Sequence, residues 1–142
     1  MKKILVINGP NINMLGKREP EIYGRESYDD LVAYIKDVAS NLGVSVICYQ
    51  SNHEGDIVDT IQSAFGEYDG IVINPAAYTH TSIAILDALK AVELPAVEVH
   101  LSDITKREAF RQISYAGMAC IATYAGYGFE GYKMAMEKII EN

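Results

Sequence analysis

Glu98 and His100, in "AVEVH", have the spacing of an acid–base pair. Two residues apart in an extended strand, their side chains share a face, so the carboxylate can orient the imidazole or raise its pKa. The same spacing also suits a histidine that ends a strand and is satisfied locally. His80 lies in "NPAAYTHTS" among Thr79, Thr81 and Ser82, which are ordinary helix-capping types. Histidine has no capping role there, so His80 is a candidate ligand contact. Asn74 opens the same stretch with an amide, and Asp87, one turn into the helix that follows, is on its own a solvated charge. Arg107 and Arg111, four apart in "ITKREAFRQIS", would share one face of a short helix, either as a solvated basic surface or as a clamp for a carboxylate.

A second chemical candidate sits near the start, in "KREPEIYG" (residues 17–24), a charged stretch too long for an ordinary strand-to-helix connection. A tyrosine pKa of about 10 leaves roughly one phenol in a thousand ionised at neutral pH. A nearby guanidinium favours the phenolate, and Tyr23 has Arg18 five residues before it and Arg25 two after. A tyrosinate tuned in this way is a plausible general base; taken alone, the residue equally suits a tyrosine packed at the surface. Gly126, Gly128 and Gly131 in "YAGYGFEGY" spell a dinucleotide-type G-x-G-x-x-G, but in the last unit of the chain with no further βαβ unit behind it. That placement favours a tight turn with close helix packing. Cys48 and Cys120 are isolated in apolar runs, with no CxxC and no paired Cys/His spacing. They are expected to be buried, inert thiols, and no metal site is expected.

The elements that must position these groups follow from hydrophobic patterning. Five runs, 4–7, 44–49, 70–73, 96–99 and 120–124, are apolar and β-branched, and most are continuous rather than alternating, as for strands buried on both faces of a parallel sheet. Helical segments alternate with them. The spacing predicts helices over 27–42, 54–65, 82–92 and 131–140, with a shorter one over 105–112. The first opens on Ser27 with Asp30 three residues on and closes at Gly43; the second places Ile57, Ile61 and Phe65 on one face. The order defines an α/β, flavodoxin-like three-layer sandwich with a five-stranded parallel sheet. Ligands of such sheets bind beyond the carboxyl ends of the strands. The residues just after the apolar runs, among them Asn8 to Asn11, Gln50 to His53, Asn74 to Ser82 and His100 to Asp103, concentrate uncharged hydrogen-bonding groups there.

The 142 residues suit one domain, 1–142, with a substantial core, and the 49% hydrophobic content is globular. A net charge of −7 disfavours nucleic acid as a partner. The opening "MKKILVI" halts at Asn8-Gly9-Pro10, too short for a signal segment, and no run approaches the ~20 apolar residues of a membrane span. A cytoplasmic address is expected.

Taken together, "NGPNINMLGKREPEIYG", "QSNHEG", "NPAAYTHTS", "EVHLSDITKREAFRQISY" and "GFEGY" resemble, in order and across residues 3–140, the type II 3-dehydroquinate dehydratases. The resemblance implies dehydration of 3-dehydroquinate to 3-dehydroshikimate in the shikimate route, for aromatic biosynthesis or quinate breakdown, without metal or cofactor. It implies that Tyr23 is the base that removes a proton beside the ketone, with Arg18 helping to ionise it. Asn11 stabilises the resulting enolate, and His100, its ring held by Glu98, protonates the departing hydroxyl. Asn74, His80, Leu101, Ser102 and Arg111 hold the substrate, Leu101 and Ser102 through backbone amides, while Arg107 supports Tyr23. Asp87 reaches a neighbouring subunit's site, and the assembly is a homododecamer built from trimers. Residues 15–24 act as a lid. Two positions depart from the family pattern: Ala76 stands where glycine is common, and Leu86 where a basic residue is common. The type I dehydratases, (β/α)₈ barrels, are excluded by length, since a barrel takes about 250 residues. A flavodoxin-like nucleotide- or flavin-binding module without activity is the rival.

Overall fold

The computed structural model describes residues 1–17 and 26–142. Five strands, β1 (Lys3–Asn8), β2 (Ser45–Gln50), β3 (Gly70–Asn74), β4 (Ala96–His100) and β5 (Ala122–Ala125), form one parallel sheet in the order β2-β1-β3-β4-β5. This is the flavodoxin-like order, and its direction reverses between β1 and β3. Among the described residues, four α-helices, α1 (Tyr28–Leu42), α2 (Glu54–Ser63), α3 (Ile83–Val92) and α4 (Glu130–Glu141), cover the sheet.

The side-chain alternation of the central strands explains the three layers. Ile4 and Val6 of β1, Val72 of β3, and Val97 and Val99 of β4 face one way, against Leu31, Ile35 and Val38 of α1 and Tyr132, Met136 and Ile139 of α4. Leu5, Ile7, Ile71 and Ile73 face the other way, against Ile57 and Ile61 of α2 and Ile85 and Leu89 of α3. Both faces of β1 and β3 are therefore buried, which is why their sequences run apolar without a break. Each fully buried aliphatic side chain contributes about 1.5–3 kcal/mol.

The helix ends follow local chemistry. Ser27 caps α1 by accepting from Asp30 N at 3.1 Å while Asp30 Oδ2 accepts from Ser27 N at 2.9 Å, and Gly43 closes the helix at φ 74°. Ser82 caps α3 through Ile85 N at 3.0 Å. Two expectations need correction. Helix α2 ends at Ser63, before a turn whose Gly66 has φ 75°, so Phe65 leaves the apolar face and is 69% exposed. The segment 105–112 is not one helix but two 3₁₀ turns, Ile104–Lys106 and Ala109–Arg111, with Arg107 extended between them. Asp103 Oδ1 caps the first turn through Thr105 N at 3.0 Å, while Gln112 Nε2 donates to the carbonyls of Ile104 and Arg107 at 2.9 and 3.2 Å, acceptors that a continuous helix would have bonded internally.

Candidate active site

Four of the five strands end on a polar residue or lead straight into one, and the carboxyl ends of β1, β3 and β4 meet at a cleft of ≈ 270 Å³. Its walls include Asn11, Asn74, His80, His100, Leu101, Ser102, Arg107 and Arg111. Eight candidates from three separate stretches of sequence thus share one concavity at the switch point of the sheet, where ligands of such folds bind. Asp87 is exposed on α3 and does not line this cleft. Arg18, Tyr23 and most of the expected lid lie outside the described residues.

His100 ends β4 as a buried residue, and its Nε2 lies 2.7 Å from Oε2 of Glu98, which is 1% exposed. Burial works against the charge of Glu98, but hydrogen bonds from His100, Ser114 and Thr123, with the attraction of His100, outweigh it and hold the carboxyl below its ordinary value. An ionised carboxylate only accepts, so His100 Nε2 carries the proton of that bond, and Nδ1 is left as the nitrogen that can exchange a proton with a ligand. The alternative of a histidine satisfied locally therefore accounts for one ring nitrogen and not the other.

His80 is fixed similarly. Its Nδ1 lies 2.8 Å from the carbonyl of Ile113, which can only accept, so Nδ1 carries hydrogen and Nε2 remains for the cleft. Asn74 is more constrained than a free amide at a strand tip. Its Nδ2 donates to Tyr132 Oη at 3.1 Å, its Oδ1 accepts from Ala76 N at 3.2 Å, and Tyr132 Oη donates onward to Asn8 Oδ1 at 2.6 Å. Tyr132 is fully buried, and burial raises its pKa, so it stays a neutral phenol. The amide of Asn74 is thereby oriented from below, with one N–H and one lone pair left over.

Among the described residues, no group accepts from the backbone N–H of Leu101 or Ser102, whereas the carbonyls of His100 and Leu101 are taken by Gly126 N and Gly128 N at 3.2 and 3.1 Å. Two adjacent, uncommitted amides suit an anion or a polar oxygen. The same bonds answer the nucleotide-binding possibility. The glycine-turn amides that would cradle a phosphate are spent on the end of β4, and Gly131 packs where a Cβ would lie 3.2 Å from Val99 Cγ1. Gly126-x-Gly128 is a packing turn.

Arg107 and Arg111 reach the cleft from different turns rather than from one helix face, and a residue not singled out in the sequence, Glu108, stands between them. Its Oε1 accepts from Arg111 Nε at 3.0 Å and lies 3.6 Å from Arg107 Nε. Asn11, which lines the cleft, is held at φ 70°, with its N–H donated to Asn52 Oδ1 at 3.0 Å. Gly9 beneath it admits no side chain, since a Cβ would sit 2.5 Å from Pro75 O. Ala76, also in the cleft wall, has φ 52°, the left-handed region that favours glycine. Leu86 is buried on α3 at 8% exposure. The two cysteines are only half-buried, but burial pushes Cys48 up to about 11 and Cys120 up to about 12, so both thiols are protonated and unreactive at neutral pH. No helix among the described residues is long and apolar enough to cross a membrane.

The fold and cleft define a class: a parallel α/β sandwich with a carboxylate-held histidine, paired arginines and open amides at its strand tips. Within it, the chain belongs to the family "Dehydroquinase class II", which matches residues 2–140. It is 56% identical over 138 residues to a 3-dehydroquinate dehydratase of Clostridium perfringens, covering 96% of each chain, and 54% identical over 140 residues to that of Geotalea daltonii, covering 99% of this chain and 97% of the other. The solved type II dehydroquinase of Butyrivibrio crossotus superposes with a TM-score of 0.96 at 50% identity, over 98% of this chain and 97% of that one.

Proposed function

We propose that the protein converts 3-dehydroquinate to 3-dehydroshikimate by elimination of water through an enolate, as a type II 3-dehydroquinate dehydratase. The observation that carries this reading is a His100 held through Nε2 by the buried Glu98, in a cleft that Arg107 and Arg111 also line, in a chain that is otherwise acidic. The arginines and the open amides of Leu101 and Ser102 suit a substrate with a carboxylate and several hydroxyls. His100, protonated on both nitrogens with Nε2 held by Glu98, donates from Nδ1 to the leaving tertiary hydroxyl. Tyr23, ionised with the help of Arg18 and supported by Arg107, removes the proton beside the ketone, and Asn11 stabilises the enolate. Asn74 and His80 complete the contacts to substrate hydroxyls. Splitting the elimination in this way separates two proton transfers that are difficult to make together. Residues 15–24 close over the ligand and exclude water.

The finer assignments belong to the same proposal. The protein works in the cytoplasm as a homododecamer built from trimers. Asp87, exposed and away from its own cleft, serves the site of a neighbouring subunit. An ultraviolet assay tests the activity, because the product is an absorbing conjugated enone. Wild type should generate that absorbance from 3-dehydroquinate, and Tyr23→Phe should keep the fold and substrate binding while losing most turnover. A Tyr23→Phe variant near the wild-type rate would contradict the assignment of the base. No absorbance from wild type, with flavin or nucleotide bound instead, would favour the non-enzymatic rival.

A further inference from the structure

Glu98 is held by more than its histidine. Ser114 Oγ donates to Oε2 at 2.6 Å, and Thr123 Oγ1, from the neighbouring strand β5, donates to Oε1 at 2.8 Å. The directions of these bonds are fixed by their surroundings. Ser114 Oγ already accepts from Gly117 N at 2.9 Å, so its own hydrogen is free to point at the carboxylate. With His100 and Ser114 on one oxygen and Thr123 on the other, three donors converge on a group that has about four acceptor positions. Gly117 makes room for this cradle, because a Cβ there would lie 2.6 Å from Glu98 Oε1 and 2.9 Å from Ser114 Oγ. A protonated Glu98 would bring a hydrogen of its own against three groups that already point theirs at the carboxylate, and at least one of those bonds would have to reverse or break. The cradle therefore fits the anion and disfavours the acid.

We propose that Ser114 and Thr123 are positioning residues that hold Glu98 as a carboxylate aimed at His100 and so keep His100 competent as the general acid. This rests on the reading of His100 given above. Neither residue lines the cleft, so each acts on the ligand only through Glu98 and His100. Among the described residues, the titratable groups around the carboxylate are few. On its own strand there is His100. From the segment leading into β5 there is Cys120, whose thiol burial and the Glu98 charge keep protonated. Strand β3 opposes Glu98 with Ile73, which has no charge. A change in the ionisation of Glu98 therefore traces to the hydroxyls that bind it.

The test compares kcat and KM from pH 4 to 9 for wild type, Ser114→Ala, Thr123→Val and Thr123→Ser, with circular dichroism and thermal unfolding to confirm the fold. Each hydrogen bond to a charged group is strong enough to move the carboxylate by about one pH unit when lost. In Ser114→Ala and Thr123→Val the acid-side fall of kcat should move toward neutrality by about that much. Their kcat at neutral pH should drop severalfold with KM unchanged, and Thr123→Ser should restore both. Profiles that superimpose on wild type, or a uniform fall in kcat with no shift along pH, would overturn the proposal. Thr123→Val is isosteric, lies on an edge strand, and decides the matter if Ser114→Ala does not fold. His100→Ala, assayed in parallel, separates the two levels of the account. If it is inactive while Thr123→Val is unshifted, the positioning role fails and the general acid stands; if it is fully active, both fall.

Discussion

At the scale of single residues, the site turns on one buried negative charge. Glu98 has a depressed pKa because three donors outweigh its burial. The sign of its contribution to stability follows from linkage. As pH falls, the unfolded chain takes up this proton first, near its ordinary value of about 4.3, and the folded protein only later. Glu98 therefore stabilises the fold above that value, and the contribution is lost as pH drops through the lower folded value. Wild type should lose stability steeply below about pH 4.3 in urea titrations, and Glu98→Gln should show a shallower slope over the same window. The Glu98–His100 pairing was legible because strand periodicity alone puts i and i+2 on one face. Ser114, Thr123 and Tyr132 were not, because each meets its partner through packing across elements that are far apart in sequence. Glu108 was hidden differently, as one more charge in a run of charges.

At the scale of elements, helices with end signals were legible and the irregular segment was not. Helix α1 carries a complete capping box and a left-handed glycine, and its apolar residues Leu31, Ile35 and Val38 recur at helical spacing. Ser27→Ala removes one side of that box and should lower stability by about 1 kcal/mol in thermal or urea unfolding, with turnover retained. The stretch 105–112 has helical spacing as well, and the four-residue interval between Arg107 and Arg111 invites a helix. The side chain of Gln112 takes carbonyls that a helix would use, and the chain breaks into two short turns. Both arginines still reach the cleft, so their shared destination was foreseeable although the element that delivers them was not. Phe65 was misplaced for a related reason: its spacing from Ile61 continues the helical face, but the helix stops two residues earlier.

At the scale of the whole molecule, the sheet order gathers residues 8–11, 74–80 and 98–111 at one edge, and two separate cores clamp the sheet that holds them. The pattern of unbroken apolar strands and alternating helices was enough to place that edge before any contact was known. The tolerance of the packing was not legible. Gly70, the first residue of β3, lies where a Cβ would come 2.6 Å from Ile139 Cγ2 on α4. Gly70→Ala should destabilise the protein by about 1–3 kcal/mol by overpacking, seen as a lower Tm with the active-site chemistry otherwise intact. The activity of the assembled molecule gives the most direct test of the central claim, that a carboxylate-held His100 delivers the proton that releases water. The measurement is the rate of enone formation from 3-dehydroquinate by folded His100→Ala at neutral pH. The account predicts a fall in kcat of at least about 100-fold, the scale of a lost general acid. A rate within about threefold of wild type would contradict it, since such a change is far smaller than loss of that acid produces.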